Sequence, residues 1–213
     1  MLISFQSVIP KPLENADLSA SEVWNSLFKI SESGHYIINA SSGKGKSTFT
    51  NILYGLRHDY KGQVQLNGRD ISTFEINEWA NLRKNELAVV FQGLELFPNI
   101  SVVDNILLKN RLTDYKTEAE IKLFLQTLEI DKFSNNFAGT LSMGQQQRVA
   151  IARSLCQPFK CLLLDEPFSH LDMANKKRAW QLIDEESTSQ GAKTITTSLG
   201  DNFGIVPVKT FRL

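Results

Sequence analysis

A glycine-rich segment between an apolar pair and a helix-compatible stretch constrains the fold of this chain more than any other feature. Residues 39–49 read NASSGKGKSTF, and TNILYGL follows. Gly45, Lys46 and Ser47 fit the pattern of a glycine, four free positions and Gly-Lys-Ser/Thr, with Ala40 at the first position. The pattern predicts a strand, a phosphate-binding loop and a helix. A flexible Gly/Ser linker is the alternative, and the flanking segments disfavour it.

Each residue type in this loop has a chemical reason. Gly43 and Gly45 lack a Cβ, so the backbone can curl until its N–H groups form an anion-binding nest. The Lys46 ammonium can reach the outer phosphates, and the Ser47 hydroxyl can bind Mg²⁺ at the positive end of the helix. Ala40 is tolerated if its φ is not positive. The predicted nucleotide-binding residues are Ser42, Gly43, Lys44, Gly45, Lys46, Ser47 and Thr48.

The segment CLLLDEPFSHLD, which begins at Cys161, supplies a pair of carboxylates. A buried apolar strand that ends at Asp165 places this carboxylate at the edge of the sheet where open α/β folds bind ligands. Asp165 is therefore predicted to hold Mg²⁺, and Glu166 to orient or deprotonate a water that attacks the terminal phosphate. An ordinary strand end at a solvated loop is the alternative, and the upstream loop disfavours it.

The segment LSMGQQQRVAIARSL, residues 141–155, has two compatible interpretations. Ser142 and Gln145 form a capping-box pattern, so the segment can simply start a helix whose Val149, Ala152 and Leu155 face inward. A capped helix N-terminus also offers free N–H groups and a positive dipole end to an anion. The segment is therefore a candidate for a second phosphate site.

The rest of the chain alternates short apolar strands with helical patterns, which predicts an α/β fold with a largely parallel sheet. LISFQSV and GQVQLNGRD indicate a small N-terminal antiparallel β lobe, with a turn at Asn67-Gly68. The pattern between Leu94 and Thr140 indicates an inserted helical lobe, interrupted by Pro98. The predicted strands of the main sheet cover residues 36–39, 87–91, 161–165, 193–197 and 204–208.

Charge and hydropathy exclude several classes of protein. The 213 residues carry 23 basic and 23 acidic side chains, so we expect no nucleic-acid partner. The apolar runs are far shorter than the roughly 20 residues of a membrane helix. The absence of a leader pattern and the presence of only 2 cysteines favour a cytoplasmic location.

Together these motifs have the order and spacing of ABC-type ATPase domains, and the resemblance covers essentially the whole chain. They comprise ASSGKGKST, the glutamine of VVFQ, LSMGQQQRVAIARSL, LLLDEP and SHLD. The resemblance implies a P-loop NTPase (ABC ATPase) core in a single domain, residues 1–213. It divides this domain into a β lobe and nucleotide-binding core at about 1–92, a helical lobe at about 93–145, and the rest of the core at about 146–213.

The resemblance also implies a homodimer of head-to-tail subunits that encloses two ATP molecules, each bound by the loop of one subunit. The signature residues of the other subunit cap each ATP; they are Ser142, Met143, Gly144 and Gln145. Met143 stands where the family has a glycine. Gln92 is implied to contact both Mg²⁺ and the attacking water, and Asp172 of SHLD to couple the two sites.

Two departures from the family bear on turnover. The family carries a histidine some thirty residues after the Asp-Glu pair, where it contacts the terminal phosphate; here Ser198 stands at that position. Its hydroxyl is shorter than an imidazole and needs a bridging water. Residues 11–23 also lack the aromatic side chain that stacks on adenine in the family. Together the two departures predict slow ATP hydrolysis and a modest preference for ATP over GTP.

What the resemblance implies about function leaves two classes open. In the first, the chain is the ATP-hydrolysing subunit of an ABC transporter and is held at the inner face of the membrane by a separate permease. In the second, it is a regulatory ABC ATPase that transports no solute and acts on a membrane or soluble partner. A P-loop kinase is disfavoured by the second phosphate-binding segment and by Glu166. The stretch from Leu82 to Leu108 resembles the lipoprotein-release, macrolide-export and cell-division group.

Overall fold

The computed structural model describes residues 1–200 and 204–213. In chain order its strands are β1 (Ile3–Pro10), β2 (Leu27–Ile30), β3 (Gly34–Asn39), β4 (Tyr60–Leu66), β5 (Arg69–Asp70), β6 (Leu87–Val90), β7 (Cys161–Asp165), β8 (Lys193–Ser198) and β9 (Lys209–Arg212). Its α-helices are α1 (Lys46–Leu53), α2 (Ile76–Asn85), α3 (Val102–Asn110), α4 (Glu118–Thr127), α5 (Met143–Leu155) and α6 (Met173–Ser189).

Two sheets form the framework, as the sequence predicts. The smaller sheet has the order β2-β1-β4-β5 and is antiparallel. The turn predicted at Asn67-Gly68 is confirmed, and both residues have positive φ, 52° and 80°. The larger sheet has the order β6-β7-β8-β3-β9 and is parallel throughout. The α/β class and the antiparallel N-terminal lobe are therefore confirmed.

The central strands of the parallel sheet are covered on both faces, and their carboxyl ends lie side by side. In β7, Leu162 and Leu164 pack into the apolar cluster with α3 to α6, whereas Leu163 packs into the cluster with α1 and the antiparallel sheet. The register pairs Asn39 with Ser198 across β3 and β8. The carboxyl ends of β3, β7 and β8 therefore meet at one edge.

The predicted strand at 204–208 is wrong, since β9 begins only at Lys209. Gly204 has a φ of 76° in a turn, and Pro207 has no N–H to donate to a neighbouring strand. Val206 is 87% exposed, so this apolar run does not supply the core. Phe211 does, and its ring lies 4.8 Å from that of Phe28.

The inserted segment is helical only from Val102 onward, because residues 94–101 are irregular apart from a bridge at Ser101. Leu94 and Glu95 have positive φ, 60° and 49°, which no helix accommodates. Ser101 then caps α3 by accepting a hydrogen bond from the Asp104 N–H at 3.0 Å. In the described residues, no helix has both the length and the apolar character needed to cross a membrane.

Candidate nucleotide-binding site

The glycine-rich loop connects the carboxyl end of β3 to the first turn of α1. Gly43 and Gly45 have φ angles of 78° and 95°, a region that residues with a Cβ rarely adopt. A Cβ on Gly45 would also lie 2.9 Å from Cδ1 of Leu13. Ala40 does not have a positive φ, so an alanine fits at the strand exit.

The indole of Trp24 supports this loop through a hydrogen bond, a contact that the sequence did not predict. Its Nε1 donates to the Lys44 carbonyl at 3.2 Å. Trp24 is fully buried and packs against Phe5 and Phe49, with ring centroids 6.0 and 6.2 Å apart. The residue follows the aromatic-free stretch 11–23, yet its burial prevents it from stacking on a base. Trp24 therefore supports the loop.

The ammonium of Lys46 lies inside the loop. Its Nζ donates to the carbonyls of Ala40 at 3.0 Å and Ser41 at 3.2 Å, and only 6% of the residue is exposed. The same Nζ lies 3.3 Å from Oε1 of Glu166. Lysine and the predicted base, far apart in sequence, are thus direct neighbours.

Oxygen atoms converge beside the first turn of α1. The Ser47 hydroxyl donates to Oε1 of Gln92 at 3.1 Å, and Asp165 Oδ1 accepts a bond from the Thr197 hydroxyl at 2.6 Å. Burial raises the pKa of Asp165 above its usual value, although the hydrogen bond from the Thr197 hydroxyl partly opposes the shift. A cation would therefore stabilise the ionised form of this buried carboxylate.

This donor set fits Mg²⁺. Hydroxyl, amide and carboxylate oxygens are the ligands that this cation prefers, and it combines one or two carboxylates with phosphate oxygens. Among the described residues, no cluster of three or more His, Cys, Asp or Glu side chains could hold a metal ion.

Glu166 faces the same cavity, whose volume is about 260 Å³. Its backbone has a φ of 49°, and its N–H donates to the Thr197 hydroxyl at 3.1 Å. No aromatic side chain lines the cavity among the described residues. The lining residues are Pro12, Leu13, Ser42, Gly43, Gly45, Lys46, Ser47, Thr48, Gln92 and Glu166.

The signature residues lie at the start of α5, outside this cavity. The predicted capping box is confirmed: the Ser142 hydroxyl accepts from the Gln145 N–H at 3.4 Å, and Gln145 Oε1 accepts from the Ser142 N–H at 2.8 Å. Met143 is 49% exposed, so its side chain points away from the core. Gly144 lies against the loop that follows β7, because a Cβ there would lie 2.7 Å from the His170 carbonyl oxygen.

Ser198 and Asp172 are not among the residues that line the cavity either. Ser198 ends β8 and is 1% exposed, and its hydroxyl accepts from the Gly200 N–H at 3.1 Å. Asp172 caps α6 by accepting from the Asn175 N–H at 2.8 Å. The roles predicted for both residues stay predictions.

Comparison with known proteins identifies the family. The family described as "ABC transporter" matches residues 24–169. The chain belongs to the ABC transporter family. It is an ATP-binding cassette, the component of these transporters that binds and hydrolyses ATP.

Curated relatives of this cassette carry matching names. It is 29% identical over 175 residues to the ABC transporter ATP-binding protein YtrE of Bacillus subtilis, which covers 81% of this chain and 76% of the relative. It is 35% identical over 156 residues to the trimethylamine N-oxide transport system ATP-binding protein TmoW of Pelagibacter ubique. That match covers 72% of this chain but only 46% of the relative.

Solved structures agree on the fold of the cassette. The dimeric bacterial ABC transporter cassette MJ0796 superposes with a TM-score of 0.83 at 24% identity, over 99% of this chain and 94% of the other. A bacterial Atm1-family ABC exporter with ATP bound gives a TM-score of 0.75 at 25% identity. This second match covers 92% of this chain and 34% of the exporter.

Proposed function

We propose that the cassette dimerises head to tail around two Mg-ATP molecules and that their hydrolysis drives a conformational change in a separate membrane permease. The observation that carries the proposal is the convergence of Lys46, Ser47, Gln92 and Glu166 on one cavity. The signature residues, which lie outside this cavity, would complete the site of the second subunit. The permease would hold the cassette at the inner face of the membrane.

The residues divide the work by their chemistry. The loop amides and Lys46 bind and orient the phosphates, because N–H groups and an ammonium complement their charge. Ser47, Gln92 and Asp165 would hold Mg²⁺, which neutralises charge on the phosphate oxygens. Glu166 accepts the proton of the attacking water, and Asp172 couples the two sites of the dimer.

Phosphate release by the wild-type cassette tests the proposal. We expect Mg-dependent turnover below the roughly 10 s⁻¹ typical of enzymes, because Ser198 cannot place an imidazole at the terminal phosphate. We also expect only a modest preference for ATP over GTP, since the aliphatic Pro12 and Leu13, rather than an aromatic ring, line the cavity. Steady-state assays with both nucleotides measure the two quantities. Fast turnover confined to ATP would contradict both expectations, and no turnover would refute the proposed function.

The segment after Gln92 displays an aromatic ring that suits a permease contact. Phe97 is 58% exposed, whereas its neighbour Leu96 is partly buried against the core. The backbone of Phe97 is fixed by the side chain of Asn105. Oδ1 of Asn105 accepts from the Phe97 N–H at 2.9 Å, and its Nδ2 donates to the Phe97 carbonyl at 3.0 Å. Asn105 is fully buried, so the ring projects from a rigid support.

Replacing Phe97 with Asp is expected to abolish co-purification with the permease while basal ATPase stays within about twofold, because an exposed substitution rarely changes the fold. Leu123→Asp is the matched control, since Leu123 is 57% exposed on α4 of the same lobe. Affinity purification from membranes, with phosphate release in parallel, separates the outcomes. Equal permease binding by both variants would exclude Phe97 from the interface. A wild-type protein that captures no membrane partner would favour the regulatory ATPase.

A further inference from the structure

The loop that follows β7 packs directly on the first turns of α5. The Cβ that Gly144 lacks would lie 2.7 Å from the carbonyl oxygen of His170, closer than real contacts permit. Helix and loop are therefore in backbone contact at this point. A displacement of the start of α5 must move the loop 166–172 or open a gap beside it.

The side chain of Gln147, one turn further along α5, forms its hydrogen bonds within the described residues to this loop. It is 1% exposed. Its Nε2 donates to the Glu166 carbonyl at 3.2 Å and to the Ser169 hydroxyl at 3.3 Å, and its Oε1 accepts from the His170 N–H at 3.0 Å. The loss of such buried bonds leaves polar groups unsatisfied, so the amide ties helix and loop together strongly.

The backbone that Gln147 holds belongs to the predicted base. Glu166 has a φ of 49°, and a non-glycine residue keeps this conformation only where its surroundings impose it. Its N–H is fixed at 3.1 Å by the hydroxyl of Thr197, at the end of β8. Its carbonyl accepts from Gln147 Nε2 at 3.2 Å and, within the same loop, from the Ser169 N–H at 3.4 Å. The hydrogen bond from the Glu166 N–H goes to the parallel sheet, and the bond from Gln147 to the Glu166 carbonyl comes from the helix that starts at the signature residues.

We propose that Gln147 is a positioning residue that transmits the position of α5 to Glu166. The inference rests on the proposed function, in which Ser142 and Gly144 of one subunit cap the ATP bound by the other. When Ser142 and Gly144 cap the ATP bound by the partner subunit, the start of α5 would become fixed. Gln147 would thereby set the position of the Glu166 carboxylate, which acts on the ATP bound by its own subunit. The hydrogen bond from Gln147 to the Glu166 carbonyl thus connects the signature residues to the predicted base within each subunit.

Gln147→Met tests this role, because methionine has a similar length and no amide. We expect turnover at saturating Mg-ATP to fall about 10- to 100-fold, which reaches only the lower limit of the roughly 10²–10⁴-fold that a positioned base contributes, because the base is misplaced but still present. The KM for ATP should change less than about threefold, since no loop residue is altered. Gln146→Met is the matched control. Gln146 lies in the same turn, and its Nε2 donates to the Leu141 carbonyl at 2.9 Å instead. We expect this control to retain most of the wild-type turnover.

The Glu166→Gln background separates positioning from general damage. Once the base is gone, Gln147→Met should lower the residual turnover by less than about threefold, because the two residues act through one step. The double variant should also still form an ATP-dependent dimer in size-exclusion chromatography. An equal loss in both backgrounds, or loss of the dimer, would overturn the inference.

A second variant covers the case in which Gln147→Met does not fold. Gln147→Ala favours the helix, introduces neither charge nor extra volume, and removes all three bonds of the amide, so the same loss of turnover is expected. Wild-type turnover by Gln147→Ala would overturn the inference, while the proposed function would stand. A wild-type protein that releases no phosphate would instead refute the proposed function.

Discussion

Replacing Glu166 with Gln is expected to lower phosphate release about 10²- to 10⁴-fold, the range that a positioned base contributes. ATP binding is expected to persist. Glutamine keeps the shape of the side chain but cannot accept the proton of the attacking water at neutral pH. It also removes the negative charge that lies 3.3 Å from Lys46 Nζ, so the attraction of the loop for phosphate is not weakened. Bound ATP that is not hydrolysed should hold the dimer closed.

Size-exclusion chromatography with Mg-ATP, combined with phosphate release, measures both effects. Glu185→Gln removes the same charge from an exposed position on α6 and should behave like the wild type. We expect a dimer only for Glu166→Gln. If that variant remains monomeric at saturating Mg-ATP, the head-to-tail arrangement is wrong; if it turns over at the wild-type rate, another group is the base.

Lys46→Ala is expected to weaken Mg-ATP binding at least about 100-fold, equivalent to roughly 2.7 kcal/mol. The change removes a charge-assisted donor to the outer phosphates. It also leaves the Ala40 and Ser41 carbonyls without the donor that now lies 3.0 and 3.2 Å away. The loop therefore loses both its contact with the ligand and part of its internal support.

Isothermal titration of ATP in the presence of Mg²⁺ measures this loss. Lys29→Ala is the charge-matched control, because Lys29 is exposed on β2 of the antiparallel sheet. A thermal melt of both variants shows whether the fold is intact. ATP affinity within threefold of the wild type in a folded Lys46→Ala protein would contradict the phosphate-loop assignment.

Strong local patterns predicted much of the fold. The bounds of the strand at Cys161–Asp165 agree with the structure, since all five of its residues are buried and its neighbours cover both faces. The Asn67-Gly68 turn is confirmed because this dipeptide tolerates two positive φ angles. In contrast, the apolar run before Lys209 resembled a strand but contains Pro207, and the edge pairing shifted to the residues around Phe211.

The supports of the site were invisible in the sequence. Trp24, Thr197 and Gln147 carry no pattern that distinguishes them from ordinary core residues. Each acts through one or a few hydrogen bonds to residues 19 or more positions away, namely Lys44, Glu166 and Asp165. Periodicity reports the burial of a side chain, but not which distant backbone group it contacts.

By itself, the sequence determined the chemistry: a glycine loop that can curl around phosphate, a lysine and a serine at its end, and two adjacent carboxylates after an apolar strand. These depend on residue type and short spacing, which the chain specifies directly. The tertiary structure alone decided that Lys46 lies beside Glu166, that Ser47 meets Gln92, and that Gln147 reaches the same loop. Such contacts follow from the order of strands in the sheet and the packing of α5 against β6 and β7, where many weak interactions between distant residues act together.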